Sequence, residues 1–153
     1  MKLVLQRCSS ARVEVEGQIV GKIGRGWVAF VGVEEGDSEA QARKLAEKVA
    51  GLRMFDDDAG RFNLSVRDVS GSVLAVSNFT LCGDTRKGTR PSFSRAASPD
   101  GARELFETFV TLLRAWKVPV ETGIFGAHMK VSVENDGPVT LILEAKSTTE
   151  AGL

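Results

Sequence analysis

The 153-residue sequence is poor in the residues that carry most side-chain chemistry. It has one histidine, His128, and no tyrosine. A multi-histidine metal site is therefore excluded, and no phenol is available as acid or nucleophile. Any Ser-His-Asp or Cys-His triad has to use His128. The only cysteines, Cys8 and Cys82, are too few for a four-cysteine zinc site, so no metal and no cofactor is expected. With no CxxC and no dense cysteine pattern, a reducing, cytoplasmic compartment is the simplest one. No apolar run reaches the roughly 18 residues that a membrane span needs. The opening residues 1–7 lack the apolar core and cleavage site of a signal peptide. An excess of either charge is also missing: 20 Lys and Arg face 20 Asp and Glu. Nucleic acid cannot be held by bulk charge, and any such contact needs a local patch.

What is present is a soluble, one-domain composition, 42% apolar and 26% charged. A domain of residues 1–145 followed by a polar tail, 146–153, is expected. Lys2 to Cys8 predicts a strand. Val13–Glu16 alternates apolar and polar before Gly17, which predicts a hairpin into Gln18–Val20. Trp27 to Val33 is nearly all apolar and predicts a strand covered on both faces. Ser38 and Gln41 have capping-box spacing ahead of Ala42, Leu45, Val49 and Leu52, which predicts a helix over Ser38–Met54. Asp56–Gly60 reads as a solvated turn. Val73 to Leu81 is a further β stretch. Ser98–Pro99 opens a second helix with an apolar stripe from Leu105 to Trp116. Val118–Ile124 is β-like, and Met129–Val133 and Val139–Leu143 predict two strands around Asn135–Pro138. Two separated helices among runs of strands argue an α+β fold with a largely antiparallel sheet system.

Several segments are candidates for chemistry. Ser77-Asn78-Phe79-Thr80 is the polar end of a buried strand, where a site can be held on a rigid element. Its backbone N–H groups can stabilise an oxyanion, and Thr80 can orient water or attack. A plain strand exit into solvent is the competing interpretation. Asn135-Asp136-Gly137-Pro138 carries the Asp-Gly hairpin signal, and an ordinary turn competes there. The stretch 84–95 gathers Arg86, Lys87, Arg90 and Arg95 with Phe93, a composition suited to phosphates or to a solvated face. His128 and Cys82 read as structural residues.

Together these segments resemble the D-aminoacyl-tRNA deacylase family, once called D-tyrosyl-tRNA deacylases, over Met1 to Glu144. The resemblance rests on Ser77–Leu81, on Gly83–Gly88 with Arg90–Phe93, and on Asn135–Thr140. Gln6-Arg7 and Val120–Gly123 add to it. One departure is Asn78, where the family most often has Gln.

The resemblance implies an intertwined homodimer of α+β subunits with a barrel-like core, two helices and the site at the interface. It implies that the Gly137–Pro138 bond is cis and reaches the partner's Ser77, Phe79 and Thr80. The implied reaction is hydrolysis of the ester joining a D-amino acid to the terminal adenosine of tRNA. Gly137 and Pro138 would present carbonyls to the α-ammonium, and an L side chain would drive its Cβ into their backbone. Glycine, with no Cβ, would be accepted. Catalysis would fall to Thr80, Phe79 and Ser77, and substrate binding to Gly137, Pro138, Asn78 and Arg7. Arg7 would hold the Gly–Pro loop, and Arg86, Lys87, Arg90 and Arg95 are candidates for tRNA phosphates. Scarcity of bases favours attack by water aided by the substrate's ribose 2′-hydroxyl over attack by Thr80. The alternatives are a sister enzyme that edits L-alanyl-tRNA, a non-catalytic tRNA-binding module, and a small-ester hydrolase using Thr80.

Overall fold

The computed structural model describes residues 1–147. The chain opens with a 14-residue strand, β1 (Lys2–Val15), where two separate strands are expected. β1 buries Leu3 and Leu5 in one core, then Cys8, Ala11 and Val13 in a second. The strand changes cores by two register shifts, between Gln6 and Cys8 and between Cys8 and Ser10. Each shift bends the strand and turns its apolar face. Glu16 and Gly17, both at positive φ, form the tight turn into β2 (Gln18–Ile23). This is the hairpin the sequence predicts.

β3 (Gly26–Gly32) is buried almost throughout. α1 (Glu39–Gly51) begins on the expected capping box: the Ser38 N–H donates to Gln41 Oε1 at 2.7 Å. A small hairpin follows, β4 (Phe55–Asp56) and β5 (Phe62–Leu64). At its turn the Asp57 carboxylate accepts from the N–H groups of Ala59 and Arg61 at 2.9 and 3.0 Å. β6 (Ser72–Ser77), α2 (Pro99–Ala115), β7 (Val120–Thr122) and β8 (Lys130–Glu144) complete the order. Ser98 caps α2, accepting from the Gly101 N–H at 3.4 Å.

The main sheet runs β2-β1-β3-β6-β7, with β8 along the other edge of β1. β1 pairs antiparallel with β2, β3 and β8, but β3–β6 and β6–β7 are parallel. The sheet is thus mixed. A crossover through α1 separates β3 from β6, and one through α2 separates β6 from β7; such crossovers return the chain in the same direction. β2 and β7 approach each other and nearly close a barrel. A Cβ on Gly21 would sit 2.4 Å from the Thr122 carbonyl oxygen, so glycine permits this approach. α1 and α2 pack together over the sheet, where Leu45, Val49, Phe109 and Leu113 meet Trp27 and Val73. Among the described residues no helix is long and apolar enough to cross a membrane.

Two expectations are corrected. The strand starting near Val73 ends at Ser77, and a 3₁₀ turn occupies Phe79–Cys82. Leu81 and Cys82 pack beneath β3, where a Cβ on Gly32 would lie 2.9 Å from that of Leu81, and this packing pulls the chain out of the sheet. Asn135–Pro138 is no hairpin turn. β8 is one strand paired with β1 on both sides of that segment. At the far end the Ala145 N–H donates to the Met1 carbonyl at 2.9 Å, and Ala145 and Ser147 are buried. The chain is therefore packed through Ser147, and residues 148–153 of the expected tail lie outside the described residues.

Candidate active site

The exit of β6 builds one wall of a cavity of about 650 Å³. Asn78 still follows β3, its N–H donating to the Val31 carbonyl at 2.8 Å. The 3₁₀ turn then closes through Leu81 N–H to Asn78 O at 3.3 Å and Gly83 N–H to Thr80 O at 3.0 Å. Cys82 pins the turn from below, with Sγ 3.4 Å from the Val33 carbonyl. The result lifts Phe79, 59% exposed, and Thr80 to the cavity mouth. The first N–H groups of a helical turn have no acceptor within it, so those of Phe79 and Thr80 are available to an anion.

Ser77, Asn78, Phe79 and Thr80 line this cavity, and its floor includes Phe30, Val76, Phe106, Phe125, Met129 and Val131. His128 lies on its rim. The Thr80 hydroxyl donates to Asn78 Oδ1 at 2.5 Å. An amide oxygen is no base, so Asn78 orients the hydroxyl without activating it. The oxygen lone pairs of Thr80 then remain free to accept.

Gly137 and Pro138 do not line that cavity. Their bond is cis, both are exposed, and they sit in an excursion of β8. Gln6 pairs with Thr140 and Cys8 with Asn135, so Asp136–Val139 face Arg7 alone. The Asn135 side chain brackets the excursion. Its Oδ1 accepts from the Val139 N–H at 3.1 Å and its Nδ2 donates to the Val139 carbonyl at 3.3 Å. Arg7, only 6% exposed, supports it from behind. Its Nε donates to the Asp136 carbonyl at 3.1 Å and its Nη1 to the Met54 carbonyl at 2.8 Å. Nη1 also reaches Asp56 at 3.4 Å, and Phe62 lies beneath the guanidinium at 5.5 Å.

The basic loop is exposed from Thr85 to Arg95 and closed at its base. Asp84 and Ser92 close it with two backbone hydrogen bonds of 2.7 and 2.9 Å. Phe93 meets Phe79 edge-on at 5.3 Å, joining the loop to the cavity wall. Arg86 forks onto Asp84 at 2.7 to 3.1 Å, and its hydrogen bonds pull the Asp84 carboxyl down to about 2. Arg95 pairs with the buried Glu34 at 3.4 Å.

Both cysteines are buried. Burial pushes the Cys8 thiol up to about 11; a backbone hydrogen bond from Gly26 opposes this and the Asp136 charge adds to it. Cys82 is raised chiefly by burial as well, then by Glu34. Neither is a nucleophile at neutral pH.

The structure thus gathers Ser77, Asn78, Phe79 and Thr80 in one cavity and places Arg7, Gly137 and Pro138 in a second cluster. Sequence reasoning missed Asn135 as a bracket, although an Asn opening an irregular segment is a known turn-forming signal. It also missed the partners of Arg7 on β4–β5 and the apolar floor, which distant segments supply.

A cavity with backbone donors and a hydroxyl at its mouth, that hydroxyl bonded to an amide oxygen and not to a base, suits hydrolysis of an activated ester. The profile described as D-Tyr-tRNA(Tyr) deacylase matches residues 4–144. A D-aminoacyl-tRNA deacylase of Geobacter sulfurreducens is 58% identical over 151 residues, covering 99% of each chain. One from Carboxydothermus hydrogenoformans is 54% identical, covering 94% of this chain and 99% of its own. Among solved structures, the c-Myc DNA unwinding element binding protein superposes with TM-score 0.90 at 35% identity, over 96% of this chain and all (100%) of that one. A probable eukaryotic D-amino acid tRNA deacylase shares the fold, with TM-score 0.81 at 16% identity, over 93% and 97% of the two chains. The chain belongs to the D-aminoacyl-tRNA deacylase family, enzymes that hydrolyse the ester bond of aminoacyl-tRNA.

Proposed function

We propose that this enzyme removes D-amino acids from tRNA and accepts glycine, in a homodimer whose site combines two copies of the chain. The Ser77–Thr80 cavity of one copy would take the terminal adenosine and its ester. Gly137 and Pro138 of the other would close it, their carbonyls facing the α-ammonium. With ammonium and ester fixed, a D side chain points outward and an L side chain meets the Gly–Pro backbone. The observation that carries this is the separation within one chain: Gly137 and Pro138 are exposed, held by Arg7 and Asn135, and absent from their own chain's cavity. Ile142, 76% exposed on the same strand, offers apolar surface to a second copy.

Attack would come from water, positioned by the substrate's 2′-hydroxyl. Thr80, its proton held by Asn78, would accept a hydrogen bond, and the Phe79 and Thr80 N–H groups would receive the oxyanion. The test is to charge one tRNA with D-phenylalanine, L-phenylalanine or glycine and compare hydrolysis rates. The D-ester is expected to exceed the L-ester by about a thousandfold, roughly 4 kcal/mol of discrimination, with glycine cleaved. Preference for the L-ester would indicate an editor of the opposite handedness. tRNA affinity without release of any amino acid would indicate a binding module.

A further inference from the structure

We propose that Lys87 and Arg90 are the two side chains that grip the sugar-phosphate backbone at the acceptor end of an RNA, while Arg86 and Arg95 are taken up by carboxylates of their own chain. This builds on the tRNA-ester function above and assigns its phosphate contacts. The four cations 86, 87, 90 and 95 look equivalent in sequence, yet the structure divides them. Arg86 is engaged by Asp84 through a two-pronged fork, and Asp84 also accepts from the Arg86 N–H at 3.0 Å. Arg95 is engaged by Glu34, whose carboxylate is buried and also faces Lys2 at 3.8 Å. A phosphate would have to displace these carboxylates. Lys87 and Arg90 are exposed, with no ion pair to either among the described residues, and no acid lies between Thr85 and Arg95.

The loop also places them usefully. The Asp84–Ser92 closure confines 85–91 to a tight excursion, with Gly88 at φ 61° between the two cations. Only Phe93 separates its base from the Phe79 wall, through the 5.3 Å edge-on contact. An RNA strand entering the cavity at Phe79 thus passes a solvated positive pair on a fixed base. Fully solvated cations gain by releasing the counterions of phosphates, and each such contact steepens the salt dependence of binding.

The experiment measures binding of uncharged tRNA between 50 and 200 mM KCl, a readout that needs no turnover. Lys87→Ala/Arg90→Ala is expected to weaken binding at least about tenfold at low salt and to flatten the log–log salt slope by about 1.5. The charge-neutral variant Asp84→Asn/Arg86→Gln is expected to stay within about twofold of wild type with its slope unchanged. Thermal unfolding confirms that both variants fold. An unaltered slope in the first variant, an equal loss in the second, or no salt-dependent binding by wild type would overturn the assignment. Hydrolysis of D-aminoacyl-tRNA by wild type tests the deacylase function separately, so the two can fail independently.

Discussion

Arg7 and Asp136 are 129 residues apart in sequence, and the Arg7 Nε–H donates to the Asp136 carbonyl at 3.1 Å. This bond ties the Gly137–Pro138 excursion to the strand beneath it. The other prong of the guanidinium holds the Met54 carbonyl at 2.8 Å, so one planar group spans two segments.

Arg7→Lys should break that span, because a point charge on a flexible stem cannot meet both carbonyls as a fork does. We expect a loss of about 1 to 3 kcal/mol in stability, read from the denaturant midpoint. We also expect a narrower ratio of D- to L-ester hydrolysis, since the excursion would lose its rear support. An unchanged ratio would show that Arg7 does no more than stabilise the fold.

Thr80→Ala should slow hydrolysis by about tenfold or less, the share of a hydrogen-bond acceptor that orients water rather than a nucleophile. A tRNA ending in 2′-deoxyadenosine should lose several hundredfold, because the substrate then lacks its own proton acceptor and donor. The comparison is made under single-turnover conditions. Complete loss in Thr80→Ala with folding intact would reverse the two roles.

Asn135→Ala should leave both the N–H and the carbonyl of Val139 without their side-chain partner. The expected cost is about 1 to 2 kcal/mol by chemical denaturation. Asn135→Asp keeps the acceptor and loses the donor, so its cost should fall between.

Cys8 carries a pH dependence whose sign follows from burial. Its thiol titrates near 9.0 when unfolded and at about 11 in the native state. The unfolded chain therefore releases this proton first as pH rises. The contribution of Cys8 to stability is full below pH 9 and is lost between pH 9 and about 11. A thiol reagent at pH 8 should leave the native protein unmodified and label both cysteines once it is unfolded.

Local chemistry was legible in the sequence where it acts over a few residues. Ser38 with Gln41 announced α1, Ser98 with Pro99 announced α2, and Gly17 announced the first hairpin. The sequence misled where distant partners decide. Asp136–Gly137 carries a hairpin signal, yet pairing of both flanks with β1 keeps the chain running as one strand. Ser77–Leu81 has strand composition, yet burial of Cys82 under β3 coils it into the turn that exposes Phe79 and Thr80. The two clusters of candidate residues were legible as two motifs. The cavity floor was not, because Phe30, Phe106 and the pair Phe125 and Met129 come from three separate segments.

The most direct measurement is a crystal structure with a non-hydrolysable D-aminoacyl ester analogue, the amide of 3′-amino-3′-deoxyadenosine. The expected result places its α-ammonium within about 3 Å of the Gly137 and Pro138 carbonyls of a second copy, and its carbonyl oxygen against the Phe79 and Thr80 N–H groups of the first. An analogue seated in the cavity of a lone chain, with its ammonium bound by other groups, would contradict the two-copy site.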